Sequence, residues 1–153
     1  MARTLWLLRH GDAEAHGIRE DFDRRLTPRG VRQARTAGVA LARLGVRFDL
    51  AFASPRVRAL ETARLACAAL GIEPVVHDAL AGGFDARDAG QLLEAVRADG
   101  TVLLVGHEPD LSQLVAALSG SRIDMKKGGL ACVAGGVLLA LLRPREIERV
   151  AGV

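Results

Sequence analysis

Tyrosine is absent from the chain, and one tryptophan and four phenylalanines are its only other aromatics. Many RNA and single-strand binders stack bases on such rings, and few such surfaces can be built here. No nucleic-acid partner is expected. Cysteine is scarce as well: Cys67 and Cys132 are too few for a disulfide framework, and neither sits in a metal-type pair. Cys67 falls in the helix-like run Leu65-Ala66-Cys67-Ala68-Ala69-Leu70 and Cys132 in an apolar strand-like run, so both read as small core residues. No uninterrupted apolar run reaches the roughly 18 residues that span a bilayer. The run Leu5 to Leu8 stops at Arg9 with no cleavage region behind it, so it is not a secretion signal. A soluble cytoplasmic chain without a membrane partner is the default expectation.

What is present is ordinary for a globular protein. At 153 residues, 50% hydrophobic and 25% charged, the chain is expected to form one domain, 1–153, with a full core. Its net charge is +3, and all but two of its 21 basic residues are arginine. They are spread along the chain without a dense block, which reads first as a solvated surface and second as attraction for anionic substrates.

Strand-like and helix-like patterns alternate. Leu5 to Leu8 is an apolar strand running into Arg9-His10-Gly11-Asp12. Gly11 to Leu26 is polar and aperiodic, a loop able to wall or cover a site, with His16 read as exposed. Thr27-Pro28 opens a helix, with a capping hydroxyl before a proline at the first helical position, and Gly45 closes it. Strand 49–53 is broken by Ser54-Pro55; a helix over 56–70 and a strand over 73–77 follow. Residues 78–88, with Gly82-Gly83, read as a loop, and 89–99 as a helix. The β-branched and leucine run Thr101 to Val105 is expected to be a central buried strand. Gly106-His107-Glu108-Pro109 and a helix over 110–118 come next. Leu130 to Ala134 and Val137 to Leu142, separated by Gly135-Gly136, form a hairpin pattern that Pro144 ends. The tail to Val153 carries no clear pattern. This order predicts a three-layer α/β/α sandwich, its sheet mainly parallel with the hairpin as an antiparallel edge.

Two strands in this order end in a histidine: Leu8-Arg9-His10 and Val105-Gly106-His107. In a parallel sheet both fall at the carboxyl edge, where ligand sites gather. A third strand end leads to Arg58 in the first turn of the next helix, whose N-terminus adds partial positive charge. Arg9, Arg58, His10 and His107 around one cavity favour a dianionic phosphoryl group, with Gly11 and Asp12 expected beside the substrate. No carboxylate or cysteine cluster has metal-ligand spacing, so neither metal nor cofactor is expected.

These motifs carry a resemblance. Arg9-His10-Gly11, Ser54-Pro55-x-x-Arg58-Ala59-x-x-Thr62-Ala63 and Gly106-His107 resemble the signature of the histidine phosphatase, or phosphoglycerate mutase-like, superfamily. The short length and the Arg-His-Gly-Asp-Ala version are similar to its small bacterial branch, the SixA-type phosphohistidine phosphatases. The resemblance implies that His10 is the nucleophile and that Arg9, Arg58 and His107 bind the phosphoryl oxygens. It also implies a metal-independent phosphohydrolase working through a phosphohistidine intermediate. Its expected substrate is phosphohistidine on a protein partner, with small phosphomonoesters as the alternative and a phosphate-binding module of little turnover as a third. Larger relatives bring a carboxylic acid over the site on an extra segment. Here the corresponding region, Val76 to Gly83, is short; Asp78 lies closest to the acid's position, with Asp12, Glu14 and Glu108 as rivals. The expected assembly is a monomer or weak homodimer.

Overall fold

A computed structural model describes residues 2–153. Six strands form one mixed sheet in the order β3-β2-β4-β1-β5-β6. They are β1 (Thr4–Arg9), β2 (Leu50–Ala53), β3 (Val75–Val76), β4 (Thr101–Gly106), β5 (Leu130–Ala134) and β6 (Val137–Leu142). The β3, β2, β4 and β1 strands pair in parallel, whereas β5 and β6 pair antiparallel. The central pair, β1 and β4, is buried along nearly its whole length, which explains their continuous apolar sequences.

Five α-helices flank the sheet: α1 (Pro28–Arg43), α2 (Val57–Leu70), α3 (Ala86–Glu94), α4 (Asp110–Ser119) and α5 (Pro144–Ala151). Successive strand residues point to opposite faces, so each strand feeds two cores. Trp6, Leu8, Leu103 and Val105 meet α1, α2 and α5 on one face. Leu5, Leu7, Val102 and Leu104 meet Leu111, Leu114 and Val115 of α4 and Ala89 of α3 on the other. The contact of α1 with α2 is close because Gly38 faces the backbone of Ala66; a β-carbon there would overlap that residue's carbonyl oxygen. The outer edge strand β6 leaves Val137, Leu139 and Leu141 exposed.

The helix start at Thr27 is built as its sequence predicts, with Oγ1 accepting a hydrogen bond from the Gly30 amide at 3.1 Å. Four stretches differ from the sequence reading. Residues 78–88 are not a plain loop: a 3-10 turn spans Asp78–Ala81, and α3 begins at Ala86 behind a capping box made by Asp85 and Asp88. An Asp pair is a less familiar cap signal than Ser or Thr with Glu, and Gly82-Gly83 hides it. The same helix stops at Glu94, since the following residues turn so that Val96 is buried. The third strand is only Val75–Val76. Finally, Pro144 opens a helix as well as ending a strand: it occupies the first turn of α5, whose Ile147 and Ala151 are buried against the core.

Candidate active site

The carboxyl ends of β1, β2 and β4 are stitched together by backbone hydrogen bonds. The His10 amide donates to the Gly106 carbonyl, 3.1 Å, and the Ser54 amide to the Val105 carbonyl, 3.0 Å. This brings the two histidines side by side, their ring centroids 5.3 Å apart. Both are buried, as is Arg58. Around them lies an open cavity of about 480 Å³, walled by Arg9, His10, Arg58, His107, Lys127 and segments of the loop before α1.

Each side chain is held by the strand or helix that carries it. Arg9 donates from Nη1 to the Met125 carbonyl, 2.8 Å. Arg58 is aimed by the first turn of α2, and that turn is tied to β1 through Thr62. One helical turn beyond Arg58, the Thr62 hydroxyl donates to the Arg58 carbonyl, 2.7 Å, and accepts from the Gly11 amide, 3.1 Å. This gives the Arg58-x-x-x-Thr62 spacing a physical reason, and the fully buried Ala59 and Ala63 let the helix approach the sheet.

His10 Nδ1 lies 2.7 Å from the Gly11 carbonyl oxygen. A carbonyl only accepts, so Nδ1 carries the proton and Nε2 keeps its lone pair. Burial lowers the pKa of His10 to about 4, and the charges of Arg58, Arg9 and Lys127 push the same way. At neutral pH the ring is therefore uncharged. His107 Nε2 is 2.7 Å from the Ser54 hydroxyl, and its Nδ1 is buried without a partner. Burial first, then the neighbouring His10, Arg58 and Arg56, lowers its pKa to about 3. In this environment it is neutral too, because desolvation and the cationic Arg58 and Arg56 oppose a further charge.

The loop before α1 closes one side. An isolated bridge between Ala13 and Leu26 pins its base, and its tip is a 3-10 turn, Asp21–Asp23. The Asp21 carboxylate accepts from Arg56, 2.9 Å, and Arg24, 3.0 Å, and lies 3.5 Å from Arg58. The Asp21 carbonyl also accepts from Arg58 Nη1, 2.8 Å. Partial burial works to raise the pKa of Asp21, but Arg58, Arg24 and Arg56 outweigh it and hold the carboxyl below its ordinary value. His16 is at the rim, its side chain 82% exposed.

Of the sequence candidates, Arg9, His10, Arg58 and His107 share this cavity, together with Glu14 and Glu108. Gly11 and Asp12 are not in its wall. Gly11 instead lets β1 abut α1: a β-carbon there would lie 2.6 Å from the Gly30 carbonyl oxygen. Asp12 accepts from the Thr27 hydroxyl, 2.7 Å, and faces a neighbouring cavity. Asp78 is also outside the wall, exposed at the start of its 3-10 turn while Leu80 anchors that turn in the core. Sequence reasoning passed over Asp21, Arg24 and Lys127, and named Ser54 only as part of the Ser54-Pro55 motif. Lys127 had a signal, since the chain's two lysines stand together before Gly128-Gly129. The Asp21 contacts had none, because they arise from an aperiodic loop. Among the described residues, no three His, Cys, Asp or Glu side chains converge as a metal site requires.

Fold and site together define an α/β protein with paired imidazoles and arginines at the carboxyl edge of a mainly parallel sheet. Comparison with known proteins gives the family. Residues 5–82 match the histidine phosphatase superfamily, branch 1, and the chain belongs to that superfamily, whose members are phosphatases and mutases. An uncharacterized protein of Picosynechococcus sp. (strain ATCC 27264 / PCC 7002 / PR-6) is 35% identical over 134 residues, covering 82% of this chain and 81% of the relative. The 2,3-bisphosphoglycerate-dependent phosphoglycerate mutase of Sinorhizobium fredii is 38% identical over 99 residues, 60% of this chain. The chain spans only 44% of that mutase's length. Among solved structures, a candidate phosphohistidine phosphatase SixA from Agrobacterium tumefaciens aligns with a TM-score of 0.79 and 26% identity, covering 92% of this chain and 97% of that one. The protein histidine phosphatase SixA complexed with tungstate aligns with a TM-score of 0.84 over 94% of this chain and 99% of that one; at 24% identity it establishes the fold. The chain is thus a member of the histidine phosphatase superfamily with a phosphoglycerate mutase-like fold.

Proposed function

We propose that the chain is a metal-independent phosphatase of phosphohistidine on a protein, with His10 as nucleophile. The observation that carries this reading is the His10 ring: Nδ1–H is committed to the Gly11 carbonyl, and Nε2 is uncharged among cations. Nε2 attacks phosphorus in line, forming a P–N bond as the bond to the leaving group breaks. The Gly11 carbonyl stabilises the positive charge that the phosphorylated ring acquires. Water then attacks phosphorus, the Nε2–P bond breaks, and inorganic phosphate leaves with the water's proton passing to solvent. Arg9, Arg58 and Lys127 stabilise the equatorial oxygens, where preorganised charge does most of the catalysis. With Ser54 donating to His107 Nε2, the ring's unpartnered Nδ1–H is left as a further donor to the phosphoryl group. A neutral His107 suffices for that.

The carboxylates in the cavity support a substrate that needs no acid. Glu14 is bound by Arg19 at 2.8 Å and by the Arg25 amide, contacts that depress its pKa. Asp21 is held ionised by three arginines. Glu108 caps α4, accepting from the Ser112 amide and hydroxyl. None is set up to protonate an alkoxide, a service commonly worth 10²–10⁴-fold. Phosphohistidine protonated on its distal ring nitrogen expels neutral imidazole without such help. Similarity to SixA structures supports the same substrate class. The test is a turnover panel: phosphohistidine proteins and aryl phosphates are expected to be hydrolysed well ahead of sugar and alkyl phosphates, with acid-labile phosphate trapped on His10. Equal turnover of sugar phosphates would replace this reading with a phosphatase of small esters.

A further inference from the structure

The phosphoryl cavity is the first of three that adjoin one another. The second, about 530 Å³, shares Arg9 and Lys127 with it and adds Arg29, Lys126, Arg143 and Arg145. A third, about 430 Å³, shares Arg29, Gln33 and Pro144 with the second and continues between α1 and α5 past Arg32 and Arg35. The cations come from the end of β1, the outer face of α1, the segment before β5 and the start of α5, so the fold gathers what the sequence scatters. Carboxylates along the track are few, and Glu148 in the wall of the third cavity is one of them. Asp12 faces Lys127 at 3.7 Å, Asp124 pairs with Lys126 at 2.8 Å, and Glu146 serves both Arg143 and Arg145. The Lys126–Asp124 pair is exposed and therefore weak, so an incoming carboxylate can exchange with it at little cost, whereas Glu146 holds Arg143 through two hydrogen bonds of 2.9 Å. Arg29, Arg32 and Arg35 are exposed and form no ion pair among the described residues.

We propose that this track is the docking surface for an acidic segment of the phosphorylated protein whose phosphoryl group enters the first cavity. The reading rests on the proposed phosphoprotein substrate for the partner's identity. Three adjoining cavities suit an extended chain better than a compact metabolite, which one cavity would hold. No aromatic side chain lines the second or third cavity, so nothing there stacks a nucleobase. Charge complementarity of this kind raises the encounter rate and selects the partner.

The test measures binding without turnover, so it stands apart from the catalytic reading. A short fluorescein-labelled peptide of Asp and Ser is titrated with the protein, with vanadate present to occupy the phosphoryl cavity. Binding that weakens with salt is expected, and at least about tenfold weaker binding by the Arg29→Glu/Arg145→Glu variant. Lys126→Glu, on a different segment, should weaken it as well, and circular dichroism establishes that each variant is folded. The proposal is overturned if both variants bind like the parent, if a Gly/Ser peptide binds equally well, or if vanadate abolishes binding. Tighter binding of a single-stranded oligonucleotide would assign the track to nucleic acid instead.

Discussion

Two imidazoles kept neutral inside a cationic cavity have consequences that pH measurements can read. In the proposed mechanism the neutral form of His10 is the attacking one, so kcat/KM for a substrate of constant charge should fall on the acid side near pH 4, well below the ordinary histidine value of 6.5. An acid limb at pH 6.5 would mean that the ring is not desolvated as described. Stability should respond as well. In the unfolded chain both rings take up protons below about pH 6.5, while in the folded protein they resist until about 4 and 3. The unfolded state then binds more protons, so stability is lost as pH falls through this window. Between pH 7 and pH 5 the loss is about 2 kcal/mol per histidine. Urea denaturation of the parent and of His107→Asn should show a smaller difference between the two pH values in the variant. An identical difference would remove His107 from the account.

At the scale of elements, α1 and α2 meet where Gly38 lies against the Ala66 backbone. Neither backbone can yield without moving a helix. Gly38→Ala should therefore destabilise by about 1–3 kcal/mol, although alanine is the better helix former. A denaturation midpoint at or above the parent's would refute that packing. The contact is between helices, and no local pattern encodes it. The same division runs through the rest of the molecule. Strands β1 and β4 were legible because burial on both faces writes a continuous apolar run. Arg9, His10, Arg58 and His107 were placeable because each adjoins a strand end whose position the βα rhythm fixes. Helix α5 was not, because its first residue is a proline that also ends a strand, and two buried residues in a charged octet give little period. Nor was the place of Asp21, which depends on arginines 35 and 37 residues away.

For the whole molecule, the positive charge around the phosphoryl cavity is supplied by side chains of the chain itself. Turnover is expected to survive exhaustive chelation; restoration of a chelated, inactive protein by one divalent cation would refute the metal-free mechanism. A further consequence follows from sheet order. The two strands that lead into His10 and His107, β1 and β4, are the innermost neighbours, each flanked on both sides by another strand. Amide protons at Leu7, Leu8, Leu104 and Val105 should thus be among the slowest to exchange, opening only with the whole fold. Heating should then extinguish activity and secondary structure in one step, so that the inactivation curve overlies the melting curve. Inactivation that precedes melting would locate the weak point in the loop carrying Asp21, outside the sheet. For a library screened after a heat challenge, surviving turnover would then serve as a direct count of folded molecules.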